Sequence, residues 1–332
     1  MSEWPKGMHE FLRQAGWEKA EIDAIPGDAS FRRYFRLRRA DEGGGLDRAM
    51  LMHAPPPHED PVPFLKVANW LHAHEMRAPQ IYASQPDAGW VLLEDFGSDR
   101  MRDWLDANPD KERPAYSAAI DALVALHQRP AGPFPGYDLA TYTREVALFT
   151  DWYCPSQGLD VDKAGYLEAW EEVLSPLLAP TKPRVTVLRD YHAENIMLLD
   201  GLPGAPQGLI DFQDALAGHP AYDLVSLLQD ARRDVSPELE AAMFELYCEK
   251  AGAQADFDAD YALLGAQRNA KIVGIFSRLN TRDGKPRYLA MIPRVWAAME
   301  RDLAHRALAP VAKWFDANIP KALREAHGAF RA

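Results

Sequence analysis

The run VTVLRDYHAENIMLLDG, residues 185–201, constrains the fold more than any other part of the chain. It is apolar through Val185, Val187 and Leu188, then polar through Arg189, Asp190, His192, Glu194 and Asn195. It turns apolar again over Ile196, Met197, Leu198 and Leu199. Two short buried strands flanking a charged loop satisfy this order, since buried strands read as continuous apolar runs and polar groups must return to water. A charged loop held at both ends by a rigid scaffold is a common seat of chemistry.

The surrounding patterns differ on the two sides. MHEFLRQAGW (8–17) reads as a short amphipathic helix, and ASFRRYFRLRRA sets Phe31, Phe35 and Leu37 among arginines as a strand would. DEGGGLD then supplies a turn and RAMLMHAP a returning strand, which predicts a hairpin. Prolines precede a helix that carries Phe64, Val67, Ala68 and Leu71 on one face. IYASQPDAGWVLLEDFG gives two more strands and stops at Glu94 and Asp95. After Gly97 helical periodicity dominates to the end, broken by the segment quoted above. The expectation is an α+β chain of two lobes, a strand-rich N-lobe over 1–96 and a larger helical C-lobe over 97–332.

Composition narrows the function by exclusion. A net charge of −12 argues against non-specific nucleic-acid binding, which needs a basic face. Two cysteines, Cys154 and Cys248, are too few for a disulfide framework or a cysteine metal cluster. The first residues have no apolar core of signal-peptide length, and no segment approaches a membrane span. The expectation is a cytoplasmic protein acting on a small molecule, with no nucleic-acid, membrane or obligate protein partner.

Asp190 and Asn195 stand in a D-x-x-x-x-N spacing, and GLIDFQD follows with an apolar strand that ends in Asp211 and Phe212. A catalytic Asp, an Asn five positions on and an Asp on the next strand form the set that kinases use. The first Asp orients the acceptor hydroxyl and takes its proton, while Asn195 and Asp211 offer hard oxygens to Mg2+. Each piece alone is common, and Asp190 and Asp211 capping turns is the plainer alternative. Their order and their placement at strand ends favour the chemistry.

LRDYHAENIMLLDG followed by GLIDFQDALAGHPAYDL resembles the aminoglycoside phosphotransferase superfamily, whose loop reads H-G-D-x-H-x-x-N and whose metal strand reads I-D-[FW]. GDASFRRYFRL, LMHAPP, VLLEDFG and FSRLN narrow the resemblance to the bacterial kinases that phosphorylate N-acetylmuramate and N-acetylglucosamine at the anomeric hydroxyl in cell-wall recycling. It runs from about Gly27 to Tyr288 and is weakest in the last forty residues. It implies a protein-kinase-like fold with Mg-ATP in the cleft between the lobes, Asp190 as the catalytic carboxylate and an amino sugar as acceptor. It also implies that the backbone at Glu94 and Phe96 reads the adenine edge.

The chain departs from that family twice. Arg189 stands where Gly usually precedes the catalytic Asp, and RAMLMHAP offers no lysine for the α- and β-phosphates, Met52 or His53 lying there instead. Arg32, Arg33 or Arg36 would supply the cation, arginine gripping phosphate in a fork. Lys66 is a further candidate or a solvated surface lysine. Gly27 and Ser30 of GDAS suit a phosphate-covering turn as well as a plain hairpin turn. His192 either approaches phosphate or braces the loop. Glu194 and Asp214 are candidates for the sugar. Asp223, at a helix start, braces the catalytic loop or caps its helix. Arg278 in FSRLN suits the lactyl carboxylate of N-acetylmuramate, or is a basic residue on a solvated helix face. The rival readings are a kinase of choline or an aminoglycoside on the same fold, and a nucleotide-binding pseudokinase.

Overall fold

A computed structural model describes residues 4–26, 31–40, 45–199 and 207–330. In chain order the strands are β1 Glu21–Ile25, β2 Arg33–Ala40, β3 Leu46–His53, β4 Ile81–Gln85, β5 Trp90–Glu94, β6 Val185–Val187, β7 Ile196–Leu198, β8 Gln207–Leu209 and β9 Leu216–Gly218. The helices begin with α1 Met8–Gln14, α2 Val62–Ala73, α3 Met101–Ala107, α4 Glu112–His127, α5 Leu139–Leu148, α6 Cys154–Ser156 and α7 Lys163–Leu174. They continue with α8 Ala221–Leu228, α9 Pro237–Ala251, α10 Phe257–Asp283, α11 Ile292–Leu303, α12 Ala309–Asn318 and α13 Lys321–Glu325.

The chain divides into two compact units, residues 1–99 with 197–214, and residues 100–196 with 215–332. In the first, an antiparallel sheet of order β1-β2-β3-β5-β4 forms around alternating side chains. Phe35 and Leu37 of β2 point inward and pack with Ala49 and Leu51 of β3, Trp90 and Leu92 of β5, and Met8, Phe11 and Leu12 of α1. The β2–β3 hairpin pairs Arg33 with His53 and Ala40 with Leu46, as the sequence predicts.

The segment 197–214, read from sequence as part of the helical lobe, joins this first unit. The Leu198 N–H donates to the Asp99 carbonyl (2.8 Å) and the Leu209 N–H to the Arg77 carbonyl (2.8 Å). The Phe212 ring stacks on Phe64 of α2 at 5.0 Å. At Gly208 a Cβ would come within 2.6 Å of the Phe96 ring, so the strand approaches only without a side chain there.

The second unit is mostly helical, and short-range chemistry sets its helix ends. Ser236 accepts the Leu239 N–H at the start of α9, and Gly252 closes that helix in the left-handed region at φ 63°. The long α10 buries Leu264, Ala266, Ile272, Val273 and Phe276, together with the polar Gln267, Arg268 and Asn269. Such polar burial requires partners, and several of these lie near the loop that follows β6. β6 pairs with β9, and β7 with β8. The two strands flanking the charged loop therefore belong to different two-stranded sheets. Among the described residues no helix is long and apolar enough to cross a membrane.

Candidate active site

Every residue from Asp190 to Asn195 is tied down within the second unit. The Asn195 N–H donates to the His192 carbonyl (2.8 Å) and the His192 N–H to the Asp190 carbonyl (3.1 Å). Asn195 Nδ2 also donates to the Asp190 carbonyl (3.0 Å), so the five-residue spacing closes the loop on itself. This fixes the amide one way round and turns Oδ1 away from that carbonyl. The Tyr191 hydroxyl donates to the Ala119 carbonyl of α4 (2.7 Å). The Ala193 N–H donates to Asp230 (3.3 Å), and its carbonyl accepts the Arg102 N–H (3.0 Å). Glu194 pairs with Arg102 and with Arg232 Nε (2.9 Å).

The approach to Asp190 is equally constrained. Arg189 holds φ at 73°, a left-handed state that costs a residue with a Cβ about 1–3 kcal/mol. The glycine usual at this position in the resembling family would adopt it freely. Here the surroundings hold the conformation. Buried Asp223 at the start of α8 accepts the Leu188 N–H (2.6 Å) and the Arg189 N–H (2.8 Å). Ser226 Oγ donates to the Arg189 carbonyl (3.3 Å) and itself accepts from Arg268 (2.8 Å). The Arg189 guanidinium binds Glu145 of α5. Of the two roles open to Asp223, the geometry is that of the loop brace.

The electrostatics keep Asp190 ionised. Its residue is exposed to solvent, so a reactant reaches the carboxylate. Crowding by protein would raise its pKa, but His192, Lys271, Arg268 and Arg189 outweigh that and hold it below the ordinary carboxylate value. Burial lowers the His192 ring below the usual histidine range, so at neutral pH the lysine and arginines carry the persistent positive charge. His192 Nε2 faces two donors, Arg232 Nη1 (3.3 Å) and Asn195 Nδ2 (3.4 Å), and therefore acts as acceptor. Its proton belongs on Nδ1, which is buried and makes no hydrogen bond among the described residues. Asp223 is pushed up to about 7 by burial, against the lowering effect of its two backbone donors.

Asp211 lies in the first unit, two residues beyond β8, exposed and left-handed at φ 60°. Gln213 Nε2 donates to its Oδ1 (2.9 Å). Beside it are Tyr34 and Arg32: burial raises the Tyr34 hydroxyl, with Arg32 lowering and Asp211 raising it further. Arg32 pairs with Glu59 (3.2 Å), both side chains mostly buried. The other arginines of β2 are placed differently. Arg36 is committed to Asp95 (2.7 Å) and the Gly97 carbonyl (2.7 Å), while Arg33 is exposed and lies over the Phe35 ring (5.2 Å). Where a lysine is missing, Met52 is buried under the Tyr34 hydroxyl (3.5 Å) and His53 stacks on Trp90 (4.0 Å). Lys66 is exposed on α2.

The remaining sequence candidates scatter. Glu94 takes a two-point contact from Arg77 (2.7 and 2.5 Å), which holds its carboxyl below the usual range, and Arg77 lies over the Phe96 ring (4.6 Å). Gly27 and Ser30 lie outside the described residues. Asp214 is exposed. Among the described residues Arg278 on α10 forms no ion pair, and its buried Nε finds no hydrogen-bond partner. Sequence reasoning passed over Arg102, Arg232, Asp230, Glu145 and Lys271. Glu145 had a signal, since it shares a helix face with the apolar Tyr142 and Val146.

Taken each in its own unit, Asn195 carries an amide oxygen and Asp211 an exposed carboxylate, and both are hard oxygen donors of the kind that Mg2+ takes.

A sequence profile described as a phosphotransferase enzyme family matches residues 21–262. The N-acetylmuramate/N-acetylglucosamine kinase of Caulobacter vibrioides is 38% identical, over 93% of this chain and 95% of its own. The kinase of the same name from Pseudomonas aeruginosa is 38% identical, over 90% of this chain and 89% of its own. Among solved structures, ADP-bound aminoglycoside phosphotransferase APH(2'')-Ib superposes with a TM-score of 0.60 at 14% identity, covering 94% of this chain and 99% of that one.

Proposed function

The chain belongs to the phosphotransferase enzyme family, with a protein-kinase-like fold, and we propose that it transfers phosphate from ATP to the anomeric hydroxyl of N-acetylmuramate, N-acetylglucosamine or both. One observation carries the acceptor assignment. The two curated relatives described above are named N-acetylmuramate/N-acetylglucosamine kinases, and the identity covers at least 90% of this chain, the helical second unit included. Such a reaction belongs in the cytoplasm, where ATP is supplied.

Asp190 takes the role of catalytic carboxylate. The anomeric oxygen attacks the γ-phosphorus as its proton passes to Asp190, the bond to the ADP oxygen breaks, and ADP leaves. An anomeric hydroxyl is more acidic than other sugar hydroxyls, so a carboxylate of low basicity suffices to orient it. Most of the acceleration comes from alignment and charge neutralisation. Asn195 Oδ1 and the Asp211 carboxylate would hold Mg2+, which when bound neutralises phosphate charge.

Arg32 is the best-supported replacement for the missing lysine. It shares its surroundings with Tyr34 and Asp211, and its pairing with Glu59 parallels the lysine–glutamate pair of kinases. Arg33 is left as a peripheral contact to the nucleotide phosphates, a role for which Gly27 and Ser30 are candidates by sequence. Backbone groups at Glu94 and Phe96 would read adenine. Arg278, which forms no ion pair among the described residues, suits the lactyl carboxylate, with Asp214 near the sugar. His192 and Glu194 act on the acceptor through the loop they hold in shape.

The test is ATP consumption over N-acetylmuramate, N-acetylglucosamine, choline and an aminoglycoside, with the phosphorylated position read by NMR. A 1-phosphate of either amino sugar is expected. Turnover of choline or the aminoglycoside alone would replace the acceptor. Mg-ATP binding without turnover of any of the four would make the chain a pseudokinase.

A further inference from the structure

Glu145 is a charged side chain that the reaction as described does not use. It lies on α5, 6% exposed, and is surrounded by four donors. The Tyr137 hydroxyl and the Arg189 guanidinium donate to it, as do Lys271 Nζ (3.1 Å) and Gln267 Nε2 (3.3 Å). Burial would raise this carboxyl, yet Lys271 and Arg189 bring it below the usual glutamate range, so the cluster is one buried anion between two cations. Fold stability alone does not call for such a cluster, because well-packed apolar residues of equal volume commonly do as well or better. What it accomplishes is placement. Arg189 immediately precedes Asp190 and keeps a backbone state that only outside ties can maintain. The Lys271 side chain is mostly buried, its ammonium fixed by Glu145 and by the Tyr222 hydroxyl (3.1 Å).

We propose that Glu145 is a positioning residue for phosphoryl transfer, clamping Arg189 and Lys271 so that the Asp190 carboxylate and the Lys271 ammonium keep fixed places toward the acceptor. The clamp acts through Asp190 and not through the nucleotide. Its loss therefore lowers the rate of the chemical step and spares ATP binding. The inference rests on the phosphotransfer reading above.

The experiment uses the full chain and the variants Glu145→Gln, Lys271→Met, their combination, and Asp190→Asn. Glutamine keeps the volume and one acceptor oxygen of Glu145 while removing its charge. For Glu145→Gln and for Lys271→Met, kcat is expected to fall on the order of 10–100-fold, with KM for ATP and calorimetric Mg-ADP affinity within about threefold of wild type. The double variant should be no slower than the worse single, because both remove one linkage. Wild-type kcat in either single variant overturns the proposal. So does a double variant whose losses multiply, or a loss of kcat accounted for by the folded fraction in thermal melts. If Glu145→Gln does not fold, Lys271→Met decides alone, Lys271 being the less buried of the two side chains. Asp190→Asn separates the two levels. Turnover retained there removes the phosphotransfer reading itself, whereas an inactive Asp190→Asn beside a fully active Glu145→Gln removes only the clamp.

Discussion

Arg189 and Asp211 share an uncommon backbone state, φ 73° and φ 60°, and each marks one of the acidic positions on which phosphotransfer would depend. They are secured by different means. The loop after Arg189 is held by polar ties: Asp223 and Ser226 on its backbone, Glu145 on its side chain, Asp230 and Arg102 further along. Asp211 follows a three-residue strand, and its neighbour Phe212 is fully buried with its ring stacked on Phe64. Polar ties are directional and fix a carboxylate's orientation, whereas apolar packing fixes position and leaves the adjacent exposed carboxylate to settle on its ligands. The contrast suits a base that must meet one proton and a ligand that must accommodate an ion.

The sharpest way to break this comparison is at its two acids. Asp190→Asn should reduce kcat by about 10³-fold or more while leaving the thermal midpoint and Mg-ADP affinity near wild type, since only the proposed proton acceptor is lost. Asp211→Asn should cost on the order of 10²–10³ in kcat and shift the Mg2+ dependence to higher concentration. Equal Mg2+ titrations for the two variants would erase the distinction between them. Next in size, Arg32→Met should raise KM for ATP about tenfold, and Arg33→Met by much less. The reverse order would move the phosphate cation to Arg33. Arg278→Met should lower kcat/KM for N-acetylmuramate by about fivefold to tenfold relative to N-acetylglucosamine, the loss of one charge-assisted contact. An unchanged ratio would remove Arg278 from the acceptor.

The smallest effect concerns Asp223. Its folded-state pKa, about 7, lies above the unfolded value for aspartate, so the native state binds the extra proton. Its stabilising contribution is full below about pH 4, falls as pH rises to about 7, and is then constant. Thermal midpoints of wild type and Asp223→Asn should therefore diverge in slope between those limits and run parallel above them. A common slope throughout would mean that Asp223 is ionised in the fold.

Sequence and structure agree best where local pattern decides. The alternation of Phe35 and Leu37 with arginines predicted β2, and the apolar–polar–apolar order predicted two buried strands around the Asp190 loop. Long-range partnership was not legible. Nothing in IMLL or GLI announces that residues 197–214 join the N-terminal unit, because that follows from a carbonyl of Arg77 and a ring of Phe64 more than a hundred residues away. The cations around the loop escaped notice for the same reason: Arg102, Arg232 and Lys271 lie far off in sequence and look like ordinary surface charges there. Arg189 read as a departure from a family pattern, and its conformation shows what the departure requires.

The orientation of the Asn195 amide has a consequence for what can stand at that position. One end of the group donates a hydrogen bond to a peptide oxygen of its own loop while the other, the amide oxygen, is turned away from that oxygen. An aspartate, nearly identical in shape and a stronger ligand for a divalent ion, has no proton to give, and it would set two oxygens against each other where the amide now makes a bond. The isosteric acid is therefore the poorer substitute: it would gain charge toward the ion and open the loop that carries Asp190.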